Sequence, residues 1–163
     1  MPEKISAKTI FDSHRDKLKL EWLAGDSGAD RTIKIATDSG PDDFSRISLI
    51  GHLNLIQLHK IQVAGQKEIS YLNSLKEGEF NKLLDKLYGD TTACIIIANG
   101  LDAPPSMIKR SDLEQMPLLL SQLPSHTIIE HLQHFLFGKL SGEVTRHGTF
   151  MEVMGIGVLI SGR

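Results

Sequence analysis

The chain has 163 residues, of which 40% are hydrophobic, and this is enough to bury the core of one domain with room for the start of a second. Its 18 basic and 20 acidic residues nearly cancel, which excludes the strongly basic balance that nucleic-acid-binding proteins usually carry.

The cysteine count and the N-terminal composition indicate a compartment. Cys94 is the single cysteine, so an internal disulfide and a multi-cysteine zinc site are excluded, as is typical of a reducing cytosol. Residues 1–20 are polar and charged without the apolar stretch of a signal peptide, and the apolar runs elsewhere are too short to span a bilayer. We expect a soluble cytoplasmic protein that binds neither nucleic acid nor a membrane.

The hydrophobic pattern predicts a series of short strands and helices. Residues 94–97 form the clearest strand, because an apolar run without alternation is typical of a strand buried on both faces. In chain order we predict a helix capped by Ser6 and running toward His14 or Lys17, strands over 20–24 and 32–36 around a Gly-rich turn, a loop over 37–48, a strand over 61–64, helices over 66–75 and 77–87, a strand over 92–98, a helix from Pro104-Pro105 to about Leu113, a strand over 117–121, a helix capped by Ser125 and running to about Leu140, and strands over 143–153 and 156–161.

Strands and helices alternate through the middle of the chain, and this order predicts the fold class. Parallel strands need a connection long enough to cross back over the sheet, so the alternation indicates right-handed crossovers. We therefore expect an α/β fold with a mostly parallel sheet and helices on both faces. The pattern changes near Ser141-Gly142, which predicts an α/β domain over 1–140 and the first strands of another domain over 141–163.

The last stretch of the chain carries the most specific motif. The run from Arg146 to Gly162 closely resembles the segment that leads into the phosphate-binding loop of HPr kinase/phosphorylases. Further pieces resemble the N-terminal domain of that family in the expected order: Asp30-Arg31, residues 60–65, residues 68–72 and Pro117-Leu118-Leu119. Residues 37–58 follow the family pattern poorly, which puts a regulatory site there in doubt.

The resemblance implies a fold and an activity for the whole protein. Enzymes of this family use ATP or pyrophosphate to phosphorylate a serine of HPr, a phosphocarrier of the sugar phosphotransferase system, and they reverse the modification by phosphorolysis. They are Mg²⁺-dependent homohexamers. The family's N-terminal domain is similar to a domain of Mur ligases and has an unsettled role, whereas its C-terminal domain carries the phosphate loop and catalysis.

Two residues of this sequence match positions of the family's active site. Gly162 matches the first glycine of the loop G-x-x-x-x-G-K-[ST], whose lysine and hydroxyl residue do not follow in this sequence. We therefore expect the chain alone to bind no ATP, pyrophosphate or Mg²⁺ and to be inactive. His147 matches an active-site histidine that would orient a phosphoryl acceptor or exchange a proton with it, although a structural histidine at a strand start explains it equally well.

Other chemically active side chains have simpler explanations. His131 and His134 share a helix face at a spacing that can hold a metal, but we expect them to face solvent, and we predict no metal ligand. Asp42-Asp43 fits a solvated turn, and Cys94 fits a buried, inert thiol. Asp30-Arg31 is consistent with an anion site beside the Gly-rich turn or with a salt bridge that pins this turn to the sheet.

Three roles for this part of the chain stay open at this point. The first is an assembly or regulatory domain of the HPr kinase/phosphorylase. The second is a small-ligand sensing module with a crevice between residues 99–100 and 121–122, at the carboxyl ends of the strands. The third is a scaffold for self-association, with an apolar edge at residues 158–160.

Overall fold

The computed structural model describes residues 5–33, 50–53, 59–89, 92–140, 148–153 and 156–161. The helices are α1 (Ala7–His14), α2 (Gln66–Ser74), α3 (Glu77–Leu87), α4 (Pro105–Glu114) and α5 (Ser125–Leu140). The strands are β1 (Leu20–Ala24), β2 (Ile50–His52), β3 (Ile61–Ala64), β4 (Cys94–Ile97), β5 (Leu118–Ser121), β6 (Gly148–Val153) and β7 (Ile156–Ser161). The predicted helices and the strands at 20–24, 61–64, 92–98 and 117–121 are confirmed, with small shifts at their ends.

The main sheet has five strands in the order β1-β5-β4-β3-β2. Strands β2, β3, β4 and β5 run parallel to one another, and β1 pairs with β5 in the antiparallel sense. All four residues of β4 are buried, as the apolar run predicts, because β4 is a central strand whose two faces are both covered. The predicted α/β fold with a mostly parallel sheet is confirmed.

Helices cover both faces of this sheet and create two hydrophobic clusters. On one face, Ile10 of α1 and Leu132 of α5 pack against sheet residues such as Ile96. On the other face, Leu84 of α3 and Met107 of α4 pack against residues that include Ile97. Alternate residues of β4 therefore belong to different clusters, and each buried aliphatic side chain contributes about 1.5–3 kcal/mol.

Helix α1 begins where the sequence predicts. The hydroxyl of Ser6 accepts a hydrogen bond of 3.1 Å from the backbone N–H of Thr9, which satisfies one of the free donors of the first turn. Ser6 also forms an isolated antiparallel bridge with Thr32. Of the strand predicted over 32–36 the structure describes this bridge, and residues 34–36 lie outside the described part, as does the loop predicted over 37–48.

The Gly-rich turn after β1 packs closely against the end of α4. Gly25 has a φ of +74°, and a Cβ there would overlap the carbonyl oxygen of Met116. Its N–H donates a hydrogen bond of 2.8 Å to Oδ1 of Asp112. Glycine is required here both by the left-handed backbone and by the close approach.

Strands β6 and β7 form a separate two-stranded antiparallel sheet in which Gly148 pairs with Ser161 and Val153 with Ile156. The strand predicted over 156–161 is confirmed, and β6 covers the second half of the one predicted over 143–153. The predicted domain boundary near Ser141-Gly142 falls outside the described residues and stays a prediction. In the part of the chain that the structure describes, no helix has both the length and the apolar character that crossing a membrane requires.

Candidate functional site

The two residues that the sequence assigns to an active site, His147 and Gly162, lie outside the described residues. In the sequence, His147 adjoins Gly148 and Gly162 adjoins Ser161, and these two neighbours pair with each other at one end of the hairpin. The roles predicted for His147 and Gly162 stay predictions.

The segments on either side of the predicted crevice, residues 99–100 and 121–122, are joined by backbone hydrogen bonds. The N–H of Asn99 donates to the carbonyl of Leu123, and the N–H of Gly100 donates to the carbonyl of Ser121, each over 2.9 Å. A Cβ at Gly100 would overlap the side-chain oxygen of Gln122. These contacts join the two loops that the prediction places around a ligand, and the crevice itself stays a prediction.

Polar side chains meet at the carboxyl ends of β2 and β3, and we call this group the carboxyl-edge cluster. It consists of His52 at the end of β2, Glu68 in the first turn of α2, and Ser125 at the start of α5. Nε2 of His52 lies 3.1 Å from Oγ of Ser125. The sequence predicts Ser125 as the cap of α5, whereas it is the first residue of this helix, and its hydroxyl lies within hydrogen-bond distance of His52.

Gly65 allows these side chains to approach one another. A Cβ at this buried position would lie 3.1 Å from Oγ of Ser125 and 3.2 Å from Oε2 of Glu68. Glu68 also accepts a hydrogen bond of 2.9 Å from the N–H of Gly65, which is one of the two bonds of a capping box at the start of α2. The cluster thus brings a hydroxyl, a carboxylate and an imidazole to the edge of an α/β sheet where ligands commonly bind.

The sequence contained only part of the signal for this cluster. Glycine followed three residues later by glutamate, directly after the apolar run 61–64, is typical of a capped helix start. His52 was missed because its segment matches the family pattern poorly, and because its partner Ser125 is separated from it by 73 residues.

Arg31 has a structural role that neither earlier explanation described fully. Its Nε, Nη1 and Nη2 atoms donate hydrogen bonds to the backbone carbonyls of Gln115, Thr92 and Glu114, over 2.9, 3.2 and 3.1 Å respectively. Arg31 therefore pins the turn to the sheet as expected, but it does so through carbonyl groups. Among the described residues, the ion pairs are those of Arg110 with Asp85 and with Glu114.

The structure describes Cys94, His131 and His134 among the other positions that the sequence analysis considered. Cys94 is fully buried, and this burial raises the pKa of its thiol to about 12. His134 is exposed as expected, whereas His131 is half-buried and lies against His14. The described ranges contain no group of three or more His, Cys, Asp or Glu residues that could hold a metal ion. Asp42-Asp43 lies outside the described residues.

Comparison with known proteins identifies the family of this chain. Residues 5–136 match the family model described as HPr Serine kinase N terminus. The chain is 37% identical over 158 residues to the HPr kinase/phosphorylase of Ralstonia nicotianae, which covers 97% of this chain and 48% of that protein. The protein of the same name from Xylella fastidiosa is 36% identical over 99% of this chain and 50% of its own length. The one from Neisseria meningitidis is 37% identical over 97% of this chain and 48% of its own length.

The chain therefore spans about half the length of the curated relatives that it matches. The family match covers the sheet and its helices, from the residue before the α1 cap into the last turns of α5. By its sequence, this chain belongs to the HPr serine kinase N-terminal family.

Proposed function

We propose that the protein to which this chain belongs is a bifunctional HPr kinase/phosphorylase of the cytoplasm. It phosphorylates a serine of the phosphocarrier HPr with ATP or pyrophosphate, and it reverses the modification by phosphorolysis. The observation that carries this proposal is the relationship to proteins named HPr kinase/phosphorylase over 97% of the chain. The described α/β domain supplies assembly or regulatory contacts within a homohexamer.

The two proposed domains correspond to the two sheets. Residues 1–140 form the N-terminal domain around the five-stranded sheet, and residues 141–163 begin the catalytic domain with the β6–β7 hairpin. Gly162 is the first glycine of the phosphate loop, whose lysine and magnesium-binding hydroxyl would come from residues beyond this sequence. His147 acts beside this loop on the phosphoryl acceptor, in agreement with the pairing of Gly148 with Ser161.

A phosphorylation assay with HPr and Mg²⁺, using ATP or pyrophosphate, tests this proposal. The 163-residue chain is compared with a chain extended by its own downstream gene sequence. We expect phosphoserine to form on HPr only with the extended chain, and we expect a lower rate of phosphorylation for the extended His147→Ala variant. His134→Ala, at an exposed position of α5, is the matched control and should keep the rate.

Two results would contradict the proposal. If the extended chain leaves HPr unmodified, the kinase assignment fails. If His147→Ala and His134→Ala have the same rate, the proposed role of His147 fails while the family assignment stands.

A second candidate function is recognition of a small anionic metabolite at the carboxyl-edge cluster. The observation that favours it is the meeting of His52 and Ser125 beside Gly65, at the edge where α2 and α5 begin. Pyrophosphate added to the ¹⁵N-labelled chain should then shift the amide signals of Gly65 and Ser125 in a saturable way. Ser125→Ala should abolish the shifts, and Ser106→Ala, at an exposed position of α4, should not. Unchanged signals at millimolar pyrophosphate would exclude pyrophosphate as a ligand of this cluster.

A further inference from the structure

His14 is a buried histidine at the last residue of α1, where this helix packs against α5. The residue is 4% exposed. Its ring lies edge-on to Phe135 of α5, with centroids 4.4 Å apart, and edge-on to His131 of the same helix, with centroids 5.3 Å apart. Nδ1 lies 3.0 Å from the carbonyl oxygen of Ile10, so this nitrogen carries the proton of the neutral ring and donates it to that carbonyl.

The surroundings of His14 disfavour a positive charge on its ring. Burial removes the water that would solvate an imidazolium ion, and this is the main reason why the pKa of His14 lies below its ordinary value of 6.5. The titratable groups that face it, His131 on α5 and Lys17 in the turn after α1, lower the pKa further. The hydrogen bond to Ile10 raises the pKa, but its effect is smaller than that of burial.

In the described part of the chain no carboxylate forms an ion pair with His14. A protonated His14 would therefore keep one hydrogen bond, to Ile10, and would have to stay charged while buried beside Phe135 and His131. Moving the ring into water removes this cost, and the end of a helix can move more easily than its middle.

We propose that His14 is a pH-sensitive latch that holds the C-terminal half of α1 on α5, and that acidification releases this half of the helix. The N-terminal half stays in place, because the N–H groups of Ala7 and Lys8 donate to the carbonyls of Arg31 and Ala29. The moving part comprises Phe11 to His14, and its release breaks the bond from the Leu18 N–H to the carbonyl of His14, whereas Leu18 itself stays bound to β5 because its carbonyl accepts a hydrogen bond from Ser121.

The direction of the pH dependence follows from linkage. The released state binds a proton at the ordinary pKa of 6.5, whereas the packed state binds one at lower pH. The latch is therefore fully closed above pH 6.5 and weakens as the pH falls from 6.5 through the pKa of the packed ring. Below that lower pKa both states are protonated and the effect no longer grows.

Trp22 reports this release directly. It is the single tryptophan of the chain, and its ring lies 5.4 Å from the ring of Phe11, on the moving half of α1. Between about pH 7.5 and about pH 5, we expect the emission maximum of Trp22 to shift to longer wavelength with a midpoint below 6.5. Over the same range, the exchange protection of the Arg15 and Leu18 amides should be lost progressively after correction for intrinsic rates.

Two substitutions keep the test independent of a folding defect. His14→Phe retains an aromatic ring without a titrating group, and His14→Gln retains a neutral donor for Ile10. Both should abolish the acid shift of Trp22, and the matched control His134→Gln, at an exposed position of α5, should retain it. The proposal is overturned if the shift is the same in all variants, or if NMR titration shows that His14 protonates while α1 keeps its exchange protection.

Discussion

The guanidinium group of Arg31 caps the end of α4 from a distant part of the chain, because its Nε donates a hydrogen bond of 2.9 Å to the carbonyl of Gln115. Gln115 follows the last residue of α4 and has a left-handed φ of +55°, and its carbonyl belongs to a helix end with no further intrahelical donors. Nη2 satisfies the carbonyl of Glu114 in the same way, and Nη1 reaches Thr92 just before β4. One side chain thus joins the turn after β1, the end of α4 and the start of β4.

Replacement of Arg31 should destabilise the domain without any anion being involved. Lysine can reach at most one of the three carbonyls at good geometry, so we expect Arg31→Lys to lower the free energy of unfolding by about 1–2 kcal/mol in urea titrations. Asp30→Asn is the matched control, because Asp30 is the exposed neighbour, and it should change stability by less than about 0.5 kcal/mol. Equal effects of the two substitutions would indicate that a charge pair, not carbonyl capping, stabilises the turn.

Local sequence patterns predicted most of the fold, because each depends on neighbours in the chain. The apolar run of β4 requires two covered faces, and Ser6 requires only the N–H of Thr9 three residues later. Contacts between distant segments gave no such signal. Arg31 meets Gln115 across 84 residues, and His52 meets Ser125 across 73, so both depend on how the sheet is assembled.

Gln62 is a polar side chain inside the core that the apolar pattern did not single out. It is fully buried in β3, and neither its Nε2 nor its Oε1 has a hydrogen-bond partner among the described residues. A buried amide without partners costs about 1–3 kcal/mol. We therefore expect Gln62→Met, which keeps the volume, to raise the free energy of unfolding by about 1–2 kcal/mol.

Gln66→Met provides the comparison for Gln62, because Gln66 is an exposed residue of α2 whose amide bonds Ser70. It should leave stability within about 0.5 kcal/mol of the wild type. A loss of stability in Gln62→Met would contradict the prediction and would show that the amide binds an internal water molecule.

Tyr88 should make the domain sensitive to alkaline pH. Its buried hydroxyl lies 2.6 Å from Oγ of Ser111 and donates to the carbonyl of Met107 over 3.1 Å. Burial raises its pKa from the ordinary value of 10.0 to about 12. The free energy of unfolding is therefore unaffected by Tyr88 below pH 10. As the pH rises from 10 toward 12, it decreases by at most about 1.4 kcal/mol per pH unit.

The measurement for Tyr88 is the difference in unfolding free energy between the wild type and Tyr88→Phe at several pH values. At neutral pH the variant should be less stable by about 1–2 kcal/mol, because it leaves Ser111 without this partner. The difference should shrink above pH 10 as the unfolded wild type ionises. A difference that stays constant up to pH 12 would show that the phenol does not titrate with unfolding.

Cys94 should react with thiol reagents only when the domain unfolds. It is fully buried in β4, and burial raises the pKa of its thiol to about 12. At neutral pH a reagent therefore cannot reach the sulfur, and the reactive thiolate does not form. Labelling with a disulfide reagent in increasing urea should therefore follow the loss of helical circular dichroism. In a Cys94→Ala background, Leu113→Cys places a thiol at a position that is 75% exposed and should react at once without urea. Rapid labelling of Cys94 in native buffer would show that β4 opens locally, since global unfolding of a domain of ordinary stability exposes less than about one molecule in a thousand.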